Sequence, residues 1–399
     1  MNANNIRARN DLELSRKLLS EPFVQKVVEQ LERAQEEGSG GTRRHLLATS
    51  VRLSKSMAPG LHDHANACAE KLGLELPLEI YVYSSPTFNA ACVKPEDGRL
   101  FVMFSSSLLE AFKESELRFV MGHEIGHHVY GHHDIPIGYI LRGEHKPPPA
   151  LALQLFAWSR YAEISADRAG AHCAEDLEGV ARSLFRLASG LTGDAVEFQL
   201  DEFLSQVDAM QTEDAEPGQG APMEDWFSTH PFSPLRVKAL KLYHDSVLAR
   251  GGKNSADSLE ASVQTLMSLM EPSYLQSKTP VAESMRRLLF AGAIAVADST
   301  GGIGEKESEV FEQFFGDGAL SEKLDLEKVK AELPDRIENT RSEASHGQCT
   351  QVIRDLCVVA RADGRASGAE RKVIEVIARD LGLSASFVNG QLEADRELD

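Results

Sequence analysis

His123-Glu124-Ile125-Gly126-His127 places two imidazoles and a carboxylate within five residues, and nothing else in the chain constrains its architecture so tightly. On an α-helix, residues four apart differ by about 400° of rotation, so both histidines leave one face and can grip a single ion. Glu124 then stands beside the ion, where a carboxylate can take a proton from a metal-activated water, as in zinc hydrolases. The preceding Glu116-Leu117-Arg118-Phe119-Val120-Met121 carries apolar residues at helical spacing, which predicts a half-buried helix through the motif.

A catalytic zinc keeps three protein ligands and one open position, so a third donor must come from elsewhere. His133 stands ten residues after His123, where the pattern HExxHxxGxxH would put its last histidine. That pattern needs glycine at position 130, and the chain has Tyr130 there, with Gly131 one residue late. The other candidate is Glu163 in Ser159-Arg160-Tyr161-Ala162-Glu163-Ile164-Ser165-Ala166-Asp167, where Glu163 and Asp167 share a helical face. Asp167 could accept a hydrogen bond from the free ring nitrogen of a ligand histidine and fix its tautomer. The same segment also suits an exposed helix with solvated charges and an Arg160–Glu163 pair. His128, His132, His133 and His172 read as solvated or capping residues, the second and third of them following Gly131, where the motif helix is expected to end.

HEIGHH, then SRYAEISAD, then Ser228-Thr229-His230-Pro231 followed by Arg236 come in the order found in the M48 metallopeptidases, and the chain resembles that family from about Leu76 to Leu240. The resemblance implies an α+β fold, mostly α, of the gluzincin type. Its small antiparallel sheet would include the strand-like Leu78-Glu79-Ile80-Tyr81-Val82-Tyr83, and its edge strand would pair with extended substrate. It also implies one zinc ion per chain held by His123, His127 and Glu163, with Glu124 as base, and thus a zinc metalloendopeptidase acting on protein or peptide substrates. His230 is implied near the metal, as an oxyanion donor, as a ligand that displaces the water, or as a cap before Pro231. Arg236 could hold a substrate carbonyl or pair with a carboxylate. The alternative is an autoinhibited or chaperone-like zinc protein.

At 399 residues the chain has room for two or three domains. Hydrophobic residues at 42% and charged residues at 26% are those of a globular protein, and a formal net charge of -19 argues against nucleic acid and anionic membrane surfaces as partners. Between Arg186 and Arg236 the chain carries ten acidic residues and no Lys or Arg, which would ring a site with negative potential or simply form a solvated loop. The start of the chain lacks the apolar core of a secretory signal, and the longest apolar run, Leu288 to Ala297, is about half of a membrane span, so no transmembrane segment is expected. Five cysteines without CxxC spacing read as reduced thiols in a cytoplasmic protein.

The organisation reads as an N-terminal helical segment (1–56), the metallopeptidase-like domain (57–250), a linker or helix (251–275) and a helical domain (276–399). The polar loop Glu213 to Pro222 could be a lid or an inert excursion. In the last domain, Ala295-Val296-Ala297-Asp298 with Gly301-Gly302 and Glu305 parallels Ala360-Arg361-Ala362-Asp363 with Ala366-Ser367 and Glu370, each a helix stop followed by a helix start. The turn from Ala362-Asp363-Gly364 to Glu370 resembles that of the TerB-like, or tellurite-resistance B, domain, an all-α module. This implies a stress-response role, a docking surface for a protein partner and a candidate second cation site at Asp298, Glu305, Asp363 and Glu370, against which stands simple helix capping.

Overall fold

Leu78–Tyr83 (β2) and Arg99–Ser105 (β4), rich in β-branched and aromatic residues, lie side by side at the centre of a four-stranded sheet ordered β1-β2-β4-β3. Val51–Leu53 (β1) closes one side and Ala90–Glu96 (β3) the other. The computed structural model describes residues 3–37, 41–142, 147–193, 196–213, 228–270, 274, 280–315, 325–344, 346–362 and 366–393. They fall into two units, Met1–Asp208 with Phe227–Lys253, and Ala209–Trp226 with Asn254–Asp399.

The sheet expected to be antiparallel is mixed. β1 pairs with β2 and β3 with β4 in antiparallel fashion, but β2 and β4 run parallel. The tight turn at Asp97-Gly98, where φ values of 51° and 68° suit a two-residue hairpin, pairs β3 with β4, and the parallel pairing follows because β4 and not β3 docks beside β2. That hairpin folds β4 back between β2 and β3 and leaves β3 at the edge. Pro95 and a break in register between Val93 and Glu96 are tolerated there because an edge strand has one unpaired side.

The motif lies on the helix Glu114–Val129, as its periodicity predicts. Glu116 anchors its start: one carboxylate oxygen accepts from the Lys113 amide at 2.7 Å, and Arg182 and Arg186 reach the same side chain at 3.2 and 2.8 Å. The helix stops at Tyr130 because Gly131 takes φ 69°, a left-handed conformation that glycine adopts without penalty. A single tight turn, His132–Asp134, follows.

Against this helix packs Pro149–Ala174, the longest helix among the described residues. The crossing is built from small residues. A Cβ on Gly122 would lie 2.8 Å from the Cys173 side chain, one on Gly126 2.8 Å from the Ala169 Cβ, and one on Gly170 2.5 Å from the Phe119 carbonyl oxygen. The two backbones therefore approach more closely than ordinary side chains would permit. The bland alternative of an exposed helix with solvated charges fails, since Arg160, Glu163, Asp167 and Arg168 are all buried. Residues 3–20 join the same unit: Arg9–Ser20 packs on Pro149–Ala174, the Ala8 amide donates to Ser165 Oγ at 3.0 Å, and the Tyr130 hydroxyl donates to the Ala3 carbonyl at 3.0 Å.

The elements described in the second unit are all helices. The apolar run Leu288 to Ala297 lies in the helix Pro280–Asp298 and forms core with Val352, Ile353, Leu356, Ile374 and Ile377. No described helix is long and apolar enough to cross a membrane. Within this core the Tyr274 hydroxyl donates to Asp355 Oδ2 at 2.6 Å, and burial raises the Asp355 carboxyl above its usual range against the opposing pull of Arg354 and Tyr274. All five cysteines are free of disulfides.

Two outcomes follow from this packing. Gly170→Ala forces a methyl onto the Phe119 backbone and is expected to cost about 1–3 kcal/mol in urea unfolding, whereas Gly60→Ala, with nothing within 4 Å, does not destabilise. For Asp355 the raised folded pKa means stability is fully present below the unfolded value of about 3.9 and is lost as pH rises through the folded value. Asp355→Asn keeps an acceptor for Tyr274 without the charge. Hydrogen exchange in the helix His346–Ala360 should thus be slower in this variant than in the wild type at pH 7, with the gap closing toward pH 4.

Candidate metal centre

One helical turn puts His123 and His127 on the same face, and the glycine-lined crossing brings Glu163 of the second helix to meet them. His123 Nε2 and His127 Nε2 are 3.1 Å apart, His127 Nε2 and Glu163 Oε1 3.4 Å, and His123 Nε2 and Glu163 Oε2 3.6 Å. Donors held tetrahedrally at ~2.0–2.1 Å from a zinc ion would be separated by roughly 3.3–3.4 Å, so the spacing present is that of a ligand set. Glu163 Oε2 is buried and accepts no hydrogen bond, an orphaned acceptor aimed at the point the two imidazoles share. Arg236 Nη2 lies 3.5 Å from this oxygen, beyond good hydrogen-bond reach; a buried carboxylate oxygen without a hydrogen bond is costly, and an ion there would satisfy it. Among the described residues these three form the one group of His, Cys, Asp and Glu that could hold a metal. His133 is not part of it; burial and the neighbouring His127 and His132 push its pKa down to about 4.

The surroundings fix which ring nitrogens face inward. His123 Nδ1 lies 2.9 Å from Asp167 Oδ1, so a proton on Nδ1 leaves Nε2 as the donor toward the metal position. Arg236 grips Asp167 with two hydrogen bonds, Nε to Oδ2 at 2.8 Å and Nη2 to Oδ1 at 2.6 Å. Burial alone would raise the Asp167 carboxyl, but Arg236 and His123 hold it below its ordinary range. Glu163 behaves in the same way: burial opposes its charge, yet His127, His230 and His123 hold it well below the usual carboxylate value. Of the two roles open to Arg236, pairing with a carboxylate is the one the geometry displays.

Glu124 lies on the same helix, one residue past His123. Its Oε2 accepts from the Cys92 amide of β3 at 2.8 Å, which points the carboxylate at the edge strand. His230 comes from the opposite side, exposed, with Nε2 3.5 Å from Glu163 Oε1 and Nδ1 2.9 Å from the Thr229 hydroxyl. Its segment is tied to the long helix: Ser159 Oγ donates to the Thr229 carbonyl at 2.9 Å and Arg160 Nη1 to the Ser228 carbonyl at 3.3 Å.

His132, expected to be solvated or capping, is buried and stands 2.8 Å from His127, Nδ1 to Nδ1. The left-handed Gly131 turns the chain so that the next residue comes back beneath the motif; that glycine was the available signal. On its far side His132 Nε2 meets Asp11 Oδ2 at 3.1 Å. Nothing in the local sequence marks Asp11, a first-turn acid of a polar helix.

The candidate cation ligands of the second unit are placed otherwise. Asp298 Oδ2 accepts from Lys330 Nζ at 2.7 Å, Glu370 closes a capping box with Ser367, and Glu305 begins the helix Glu305–Phe315. Asp363 lies outside the described residues, as does the polar loop from position 214 onward.

The peptidase family M48 model matches residues 55–142 and 148–244, and the model of tellurite resistance protein TerB matches residues 286–390. The chain is 29% identical over 232 residues to the plastoglobule-localized metallopeptidase 48 of Arabidopsis thaliana chloroplasts, a match covering 52% of this chain and 65% of that protein. It is 26% identical over 227 residues to a protease HtpX homolog of Pelotomaculum thermopropionicum, covering 47% of this chain and 77% of the relative. No solved structure matches. Convergent donors, the order of the motifs and both family matches agree: the chain matches peptidase family M48 over residues 55–142 and 148–244 and, C-terminal to that, TerB over residues 286–390.

Proposed function

We propose that this protein is a zinc-dependent endopeptidase, with one zinc per chain held by His123, His127 and Glu163. The observation that carries the reading is the buried Glu163 carboxylate at ligand spacing from two inward imidazole nitrogens, Oε1 toward His127 Nε2 and Oε2, which accepts no hydrogen bond, toward His123 Nε2. Bound zinc would lower the pKa of a water from that of bulk toward about 7 and polarise the scissile carbonyl. Glu124, held by the Cys92 amide, takes a proton from the attacking water as its oxygen adds to the carbonyl carbon. It returns that proton to the amide nitrogen as the C–N bond breaks. His230, on the solvent side of Glu163, donates to the developing oxyanion. The free edge of β3 beside Glu124 suits an extended peptide, whose backbone would add a strand and set its carbonyl against the centre.

Asp167 and Arg236 serve as supports in this scheme, since they orient His123 and do not touch substrate. In this reading the TerB domain recruits a protein partner, and the protein acts in stress response or protein quality control in the cytoplasm; the family description, tellurite resistance, favours stress response.

Glu124→Gln keeps the ligands and the Cys92 contact but cannot cycle a proton, so zinc content stays at the wild-type level while casein hydrolysis falls by about 10²–10⁴-fold or more. Residual wild-type turnover would remove Glu124 from the role of base. A second reading rests on the 3.5 Å approach of His230 to Glu163: this histidine could fill the remaining coordination position and hold the protein inactive or chaperone-like. His230→Ala separates the two, since loss of an oxyanion donor lowers kcat by about 10²–10³ whereas release of an inhibitory ligand raises it.

A further inference from the structure

We propose that Asp11, on the N-terminal helix Arg9–Ser20, is a positioning residue of the metal centre that fixes the ring of His127 through His132. The inference deepens the metalloprotease reading and rests on it. It gives the segment ahead of the M48 domain a chemical task within that domain's site.

Asp11 is fully buried, and every group around its carboxylate is a donor. Oδ1 accepts from Trp158 Nε1 at 3.1 Å and Arg7 Nη2 at 3.1 Å; Oδ2 accepts from Ser165 Oγ at 2.7 Å, Arg7 Nε at 2.7 Å and His132 Nε2 at 3.1 Å. Since a carboxylate only accepts, His132 must carry its proton on Nε2. Its Nδ1 is then an acceptor, and it lies 2.8 Å from His127 Nδ1. His127 must accordingly carry its own proton on Nδ1, which leaves Nε2 bare and directed at His123 and Glu163. One carboxylate thus sets two tautomers in succession and ends by presenting a metal donor.

The two ligand histidines are supported in parallel ways. His123 has Asp167 directly, itself clamped by Arg236. His127 has Asp11 at one remove, clamped by Arg7. Partners of this kind hold ring orientation and ligand basicity, and their loss lowers metal affinity without removing a ligand. Asn in place of Asp11 would turn an amide toward donors and allow His132 to reverse, which sets two N–H groups against each other between His132 and His127.

The test is zinc affinity of the full chain, measured by competition with a chromophoric chelator, with the visible spectrum of the cobalt(II)-loaded protein as a readout of ligand geometry. Asp11→Asn and His132→Leu are each expected to weaken zinc binding about 10–100-fold and to shift the cobalt bands. Asp11→Asn should add no further loss in a His132→Leu background, because its effect passes through that ring. His132→Gln, able to accept from His127 and donate to Asp11, should stay close to wild type. Wild-type affinity in Asp11→Asn, or an equal loss from it with and without His132, would overturn the proposal. If Asp11→Asn does not fold, the pair at position 132 decides: equal loss in Gln and Leu variants overturns it. Wild-type zinc uptake by His123→Ala would instead sink the metal-centre reading, and this inference with it.

Discussion

The separation between two helices decides whether this chain has a metal centre. His123 and His127 are a turn apart and meet whenever their helix forms, but Glu163 belongs to another helix and reaches them only if the backbones nearly touch. Gly122, Gly126 and Gly170 make that approach possible by removing side chains where the helices cross, and Ala166, Ala169 and Cys173 fill the facing surface with small groups. A tetrahedral ion accepts little variation in donor distance, so with zinc held by these three side chains the requirement for glycine would be set by the metal as much as by packing.

Around that crossing, the buried charges are paired and their pairing serves placement. Glu116 meets Arg182 and Arg186, Asp167 meets Arg236, and Asp11 meets Arg7 and His132. Interior ion pairs of this type gain little net stability, because desolvation offsets the attraction. What they supply is direction: Glu116 fixes the start of the motif helix, and Asp167 and Asp11 face His123 and His127, directly or through a second ring.

Much of the centre can be read from local pattern. The HExxH spacing and the Glu163 to Asp167 face are properties of single helices, and periodicity reports those directly. The helical character of the second unit, with its repeated stop and start signals, is legible for the same reason. The parallel pairing of β2 with β4 is not, since it arises from where a hairpin docks. Nor are the supports of Glu124 and His127. The Cys92 contact uses a backbone N–H, which has no residue signature, and Asp11 lies 121 positions from His132. A histidine after a helix-ending glycine has the pattern of a cap, and it is burial, which the local sequence does not show, that gives His132 its place against His127 and Asp11.

The helix Pro149–Ala174 carries Ser159 and Arg160 toward the His230 segment, Glu163 toward the ion position, Ser165 toward Asp11 and Asp167 toward His123 and Arg236. Five attachments on one rigid rod cannot be adjusted separately. A slight tilt or axial slide would displace Glu163, the His230 segment and the contacts to Asp11 and Asp167 in the same instant. The geometry around the ion position is consequently set by where that one rod lies, and any change that moves it is felt at all five places together.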